Sequence, residues 1–218
     1  MRIVCMTNEA QLPMMKSMLN SAMKSGIPMN LFHCYILTGN KDSAAYATDA
    51  FKTLTIKKLK VILANMALDR EVIWVDNDIV FFQNCIDDMR SKRTTFVHQD
   101  DYWAACSGFF LVRSGSFSKQ VIQKSIDWLP NCPSYLNDQH AINKFSAETM
   151  GVTVTKLPMD EYPNGSAYFE LGIKSKAKMV HCNCLHTTNE KLVRLKENGL
   201  WDESDTGYIA ANKYLISL

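Results

Sequence analysis

One stretch constrains this chain more than any other: Val72-Ile73-Trp74-Val75-Asp76-Asn77-Asp78-Ile79-Val80-Phe81-Phe82. Its first residues have the apolar, β-branched character of a strand buried on both faces. Aspartate is a poor strand former, so the Asp-x-Asp pair predicts a loop at the strand's carboxyl end. Open α/β sheets bind their ligands at that end. Two carboxylates so close repel one another and are costly to desolvate unless a cation joins them. The economical expectation is a divalent metal site that also holds a phosphorylated ligand. Solvated loop acids or a helix cap would leave the same residues, because short motifs recur by chance.

The chain has 218 residues, enough for one sizeable core. Hydrophobic residues make up 47% and charged ones 21%, a globular balance. A formal net charge of +2 is too small to argue for nucleic acid. No apolar stretch is long enough to span a membrane, and the N-terminal run is too short for a signal-peptide core. The seven cysteines follow no framework spacing, which suggests reduced thiols and a cytoplasmic location. Cys182-Asn183-Cys184 lacks the second pair that zinc would need.

Periodicity predicts strands at 2–6, 31–37, 72–75, 94–98, 109–112, 152–157 and 178–181. It predicts helices at 12–25, at 44–65 with a break near 53–55, at 117–129 and at 190–197, and a short one opened by Asn137. Thr38-Gly39-Asn40 closes the second strand, and Pro163-Asn164-Gly165 makes a turn. The tail, 201–218, is weakly patterned. Strand and helix alternate up to the Asp-x-Asp strand, which argues for parallel βαβ units in an α/β fold. Thr7 and Asn8, just after the first strand, suit a nucleotide-contacting loop, or an ordinary βα turn. Downstream, His181 is a good ligand for manganese-like ions beside carboxylates, and Lys191 near a helix start could meet a phosphate. A satisfied surface histidine and a solvated lysine are the bland alternative.

Taken in order, these pieces resemble the metal-dependent GT-A glycosyltransferases, and more closely the nucleotide-diphospho-sugar transferases that include plant xylosyl- and arabinosyltransferases. Residues 57–63 stand as the Lys-rich helix before Asp76-Asn77-Asp78. Ser107-Gly108-Phe109-Phe110 stands where Asn-x-Gly-Phe is usual, and Asn137-Asp138-Gln139 matches the Asp-Gln motif. Tyr162-Pro163-Asn164-Gly165, His181-Cys182-Asn183, Lys191 and Gly199-Leu200-Trp201 complete the set. The order is also similar to that of chlorella-virus glycosyltransferase domains that decorate capsid glycans. The chain departs from the pattern in Ser107 for the usual Asn and in lacking the usual glycine after the histidine, where Thr187-Thr188 stands nearby.

The resemblance implies one GT-A, Rossmann-like domain with a mixed, mostly parallel central sheet flanked by helices. About 1–105 would bind nucleotide, and about 106–218 would bind sugar and acceptor and carry the C-terminal metal and phosphate segment. It implies a UDP-sugar donor, glucose or rhamnose, a glycan or glycoprotein acceptor, and transfer with retention. Mn²⁺ or Mg²⁺ would be held by Asp76, Asp78 and His181. Thr7, Asn8, Lys57, Lys60, Asp76, Asn77 and Lys191 would hold the nucleotide sugar. Asp138 and Gln139 would act at the reacting sugar, Asp138 becoming a general base if the reaction inverts. Two rivals remain: a phosphatase using Asp-x-Asp as nucleophile and acid, and a non-catalytic sugar-nucleotide-binding module.

Overall fold

The computed structural model describes residues 1–38, 46–185 and 187–217. The predicted turn at Gly39-Asn40, the first residues of the helix predicted from 44, and His186 lie outside the described residues. β1 (Arg2–Asn8) leads through α1 (Leu12–Lys24) to β2 (Phe32–Thr38). α2 (Asp49–Leu68) then returns the chain to β3 (Glu71–Val75). β1 pairs in parallel with β2 on one side and β3 on the other. The chain therefore leaves β1 in opposite directions, and the carboxyl ends of β1 and β3 frame the crevice where doubly wound sheets bind ligands.

The next elements are β4 (Ile79–Phe81), α3 (Ile86–Ser91), β5 (Phe96–Asp101), β6 (Ala104–Arg113), α4 (Ser116–Trp128), α5 (Asp138–Glu148) and β7 (Val154–Leu157). α6 (Gly165–Phe169), β8 (Met179–His181), α7 (Thr188–Glu197), α8 (Thr206–Ala210) and β9 (Asn212–Ser217) complete the chain. Among the described residues the central sheet runs β7-β5-β6-β3-β1-β2-β9, and β4 and β8 form a separate two-stranded ribbon. The sheet is mixed: β6 is antiparallel to both β3 and β5, and the other pairings are parallel. The α/β domain with a mixed, largely parallel sheet is the one expected from the sequence.

Both faces of the central strands are buried, which explains their continuous apolar runs. Ile3, Cys5, Ile73, Val75, Phe109 and Leu111 pack on one side with Met15, Met18 and Leu19 of α1. Val4, Val72, Trp74, Phe110 and Val112 pack on the other with α2, α4 and α5. A third, smaller cluster under the ribbon joins Val80, Val180 and Cys182 to Tyr168 and Leu195.

Two expectations are corrected. α2 runs without a break through Thr53 and Thr55, because both hydroxyls donate back to helix carbonyls, of Asp49 and Lys52, each at 2.9 Å. The tail forms an element after all: β9 extends the sheet in parallel register with β2. Most of β9 is exposed, so it lacks the alternating pattern that announces a half-buried strand. Its backbone pairing and the stacking of Tyr214 on His33 and Tyr35 hold it instead.

Candidate active site

The Asp-x-Asp pair leaves β3 where the sequence predicts. What brings His181 to it is the ribbon. The apolar run after Asp78 forms β4, and β4 pairs with β8 so that Ile79 lies opposite His181. The Cys182 N–H donates to the carbonyl of Asp78 at 2.8 Å and locks that register. His181 Nε2 then stands 3.2 Å from Asp78 Oδ1 and 3.9 Å from Asp76 Oδ2. One ligand atom from each of Asp76, Asp78 and His181 lies within 4.8 Å of the others.

The surroundings prepare this imidazole for a cation. Gln99 is fully buried, and its amide nitrogen donates to the carbonyls of Tyr162 and Pro163, at 3.1 and 2.9 Å. Its oxygen must therefore face His181, whose Nδ1 lies 2.9 Å away. Nδ1 carries the proton in that bond, which fixes the ring with Nε2 turned toward the two aspartates. Gly108 faces the same point. A Cβ there would come within 2.2 Å of His181 Cε1 and 2.7 Å of Asp76 Oδ2. Two carboxylates and an oriented imidazole around a space kept clear of side chain suit Mn²⁺ or Mg²⁺.

Charge is balanced tightly around the cluster. Burial alone would raise the Asp78 carboxyl, but Lys191 at 2.7 Å and His181 hold it far below the usual range. Burial would lower His181, yet the Asp78 carboxylate outweighs it and raises the imidazole well above its ordinary value. Lys58 is buried on α2 and bridges two carboxylates, Asp76 at 3.2 Å and Asp138 at 2.8 Å. Burial opposes its charge, but the two acids more than compensate and raise it. Its ammonium also donates to the Ser107 carbonyl at 2.7 Å and lies 5.0 Å from the Trp74 ring centre. The Trp74 indole donates to Asp76 at 2.6 Å.

A cleft of about 450 Å³ opens over these groups. Thr7, Asn8, Asp76, Asn77, Asp78 and Lys191 line it, as do Asp138, Gln139 and His181. Asn137 caps α5 as the sequence predicts, accepting from the backbone N–H groups of Gln139 and His140. That leaves the carboxylate of Asp138 in the cleft. Gln139 is stretched between the Ser107 N–H at 3.1 Å and Asp101 at 3.2 Å. The other oxygen of Asp101 accepts from Asn164 and Asn183.

Two of the lysines expected at the nucleotide do not line the cleft. Lys57 donates to the Ser217 carbonyl at the end of β9, and Lys60 is exposed. The reason lies in helical phase. Thr55, Lys58, Leu59, Ile62 and Met66 form the inward stripe of α2, and positions 57 and 60 fall outside it. The same spacing could have selected Lys58 from the sequence. Gln99 and Asp101 left no comparable signal, since each lies at the end of an ordinary strand.

Among the described residues no helix is long and apolar enough to cross a membrane. A UDP-galactose:fucoside alpha-3-galactosyltransferase of Dictyostelium discoideum is 26% identical over 216 residues, covering 80% of this chain and 33% of that protein. The chain thus spans about a third of that relative's length. A glycosyltransferase involved in glycosylation of the major capsid of PBCV-1 superposes with a TM-score of 0.63 at 10% identity, over 90% of this chain and 100% of that one. GlyE of Streptococcus pneumoniae TIGR4 does so with a TM-score of 0.59 at 12% identity, over 95% and 63%. At such identities the two structures establish a shared fold. The family model described as nucleotide-diphospho-sugar transferase matches residues 17–195, most of the chain, and the protein belongs to that family.

Proposed function

We propose that this chain transfers a hexosyl group from a UDP-sugar to a saccharide acceptor, with a divalent cation and with retention of configuration. The observation that carries the reading is the Asp76–Asp78–His181 cluster with its imidazole oriented by Gln99. When bound, Mn²⁺ or Mg²⁺ supplies positive charge to the diphosphate as it departs. Lys191 sits beside Asp78, where its ammonium adds charge at the same oxygens. Thr7, Asn8 and Asn77, at the ends of β1 and β3, hold the nucleoside, and Asp138 and Gln139 orient the hexose. The half up to about residue 105 thus serves the nucleotide. The remainder serves the sugars and returns His181 and Lys191 to the phosphates.

Four aspartates line the cleft among the described residues, and all are engaged. Asp76 and Asp138 share Lys58, Asp78 binds Lys191, and Asp101 accepts from three amides. With each of these acids set against a cation or an amide, the reading passes the acceptor's proton to the leaving phosphate oxygen as C1–O cleaves on the donor side and forms on the acceptor side. The curated relative is named for an alpha linkage, and hexose in UDP-galactose is itself α-linked, so such a product is a retained one. That name supports adding galactose to the glucose and rhamnose that the sequence resemblance favours.

The test is turnover of UDP-galactose, UDP-glucose and UDP-rhamnose with Mn²⁺, with products read by proton NMR. Release of UDP that stops with chelator, and is lost in Asp78→Ala while the fold is kept, is the expected result. Equal turnover in Asp78→Ala, or a β-linked product from an α-linked donor, would reject the assignment.

A further inference from the structure

The hairpin between β5 and β6 breaks a local rule. Asp101 pairs with Ala104, leaving Tyr102 and Trp103 as a two-residue turn. Such turns need positive φ and favour Asn and Gly. Here Tyr102 takes φ 57°, a conformation strained for a bulky side chain. The chain invests in holding it. Trp103 N–H donates to the Asp101 carbonyl at 2.7 Å, and Lys156 binds both the Tyr102 carbonyl at 3.2 Å and Asp100 at 2.8 Å. A register shift between His98 and Asp100 re-aims the strand just before the turn.

This strained turn presents an indole that packing does not need. Trp103 is 68% exposed, yet it borders the cleft, with its ring 5.6 Å from that of His140. His140 is fixed in turn by the Asn137 side chain, 2.9 Å from Nδ1. Residues held in costly conformations at the lip of a site point to function rather than to stability. The direction of the cleft identifies the ligand. Asp78, His181 and Asp138 are buried in the cleft, and Lys191 and Gln139 are half-buried beside them. His140 and Trp103 come next and reach solvent, where the second substrate enters. An indole offers a large rigid face at low entropic cost, matched to the C–H face of a sugar ring.

We propose that Trp103, braced by His140, is the platform on which the acceptor saccharide stacks. The proposal rests on reading the cleft as a site of hexosyl transfer. Its test uses methyl α-L-fucoside and methyl β-D-galactoside as acceptors, with Trp103→Ala and Trp103→Phe. The alanine variant raises acceptor KM at least tenfold while donor KM moves less than twofold, and the phenylalanine variant recovers most of the loss. In the wild-type protein, the indole N–H resonance that is missing from Trp103→Ala shifts as the glycoside is titrated. Unchanged acceptor KM in Trp103→Ala, or an indole resonance that ignores both glycosides, overturns the proposal, as does an equal rise in donor and acceptor KM. Hydrolysis of UDP-hexose by the wild-type protein tests the underlying reading separately. Were it absent along with transfer, the indole titration would still decide whether saccharide binds at Trp103.

Discussion

Gly108 shows how little room the cluster leaves for error. A methyl group there meets His181 Cε1 at 2.2 Å and Asp76 Oδ2 at 2.7 Å, inside any tolerable contact. Gly108→Ala is therefore expected to push two of the three cation-facing side chains apart. Overpacking of this kind costs about 1–3 kcal/mol, which a folded domain of this size survives. The expected outcome is a cooperative urea transition with Mn²⁺-dependent turnover reduced at least tenfold; full turnover would show that the cluster can shift without loss. Gln99 acts one bond further out. Gln99→Leu frees His181 to rotate and to change tautomer, and partners of this kind are worth about 10–100-fold in metal affinity. Mn²⁺ titration by calorimetry checks this without any substrate, and an unaltered affinity would remove Gln99 from its orienting role.

At the scale of elements, α2 ties the two halves of the cleft together through one ammonium. Lys58 reaches Asp76 after β3 and Asp138 at the start of α5. Breaking a buried pair by deleting one partner strands the other charge and costs about 3–5 kcal/mol. Lys58→Met is expected to lower stability in urea by about that much, and an accompanying Asp138→Asn to restore part of it; additive losses would show that the two are not coupled. The sequence made some of this legible and hid the rest for physical reasons. β1, β3 and β6 are buried on both faces, so their apolar runs stand out, and the Asp-x-Asp break locates the carboxyl edge of the sheet. The ribbon of β4 and β8 is different. Each strand has three residues, below the length at which alternation can be read, and their pairing joins distant parts of the chain, Ile79 to His181 and Phe81 to Met179. Nothing local announces that contact, so in the sequence the place of His181 beside Asp78 rested on resemblance, and Lys58 was passed over for Lys57 and Lys60, which lie off the inward stripe.

Across the whole molecule, acid stability turns on a histidine that is no part of the cation cluster. His98 is buried and stacks between Phe96 and Phe110, at 5.6 and 4.8 Å, with Nδ1 2.7 Å from the Cys106 carbonyl. Burial, only partly offset by that carbonyl, brings it down to about 4 from the ordinary 6.5. The unfolded chain takes up this proton below about pH 6.5 and the native protein does so only near pH 4, so the contribution is complete above 6.5 and is lost as pH falls through that window. The shift corresponds to about 3 kcal/mol. His33 and His140 are lowered too, mainly by burial, and act with the same sign. His181 is raised, so its effect lies above pH 6.5 and not in this window. Burial would raise Asp88, but hydrogen bonds from Tyr162, Lys178 and Lys92 hold it at about 2, and its contribution fades only below about pH 4. Unfolding free energy measured in urea without Mn²⁺ should therefore fall between pH 7 and pH 4.5. In His98→Gln, where the stacking loss is the same at every pH, the fall should be shallower. A parallel decline in both proteins would mean that His98 takes its proton without unfolding.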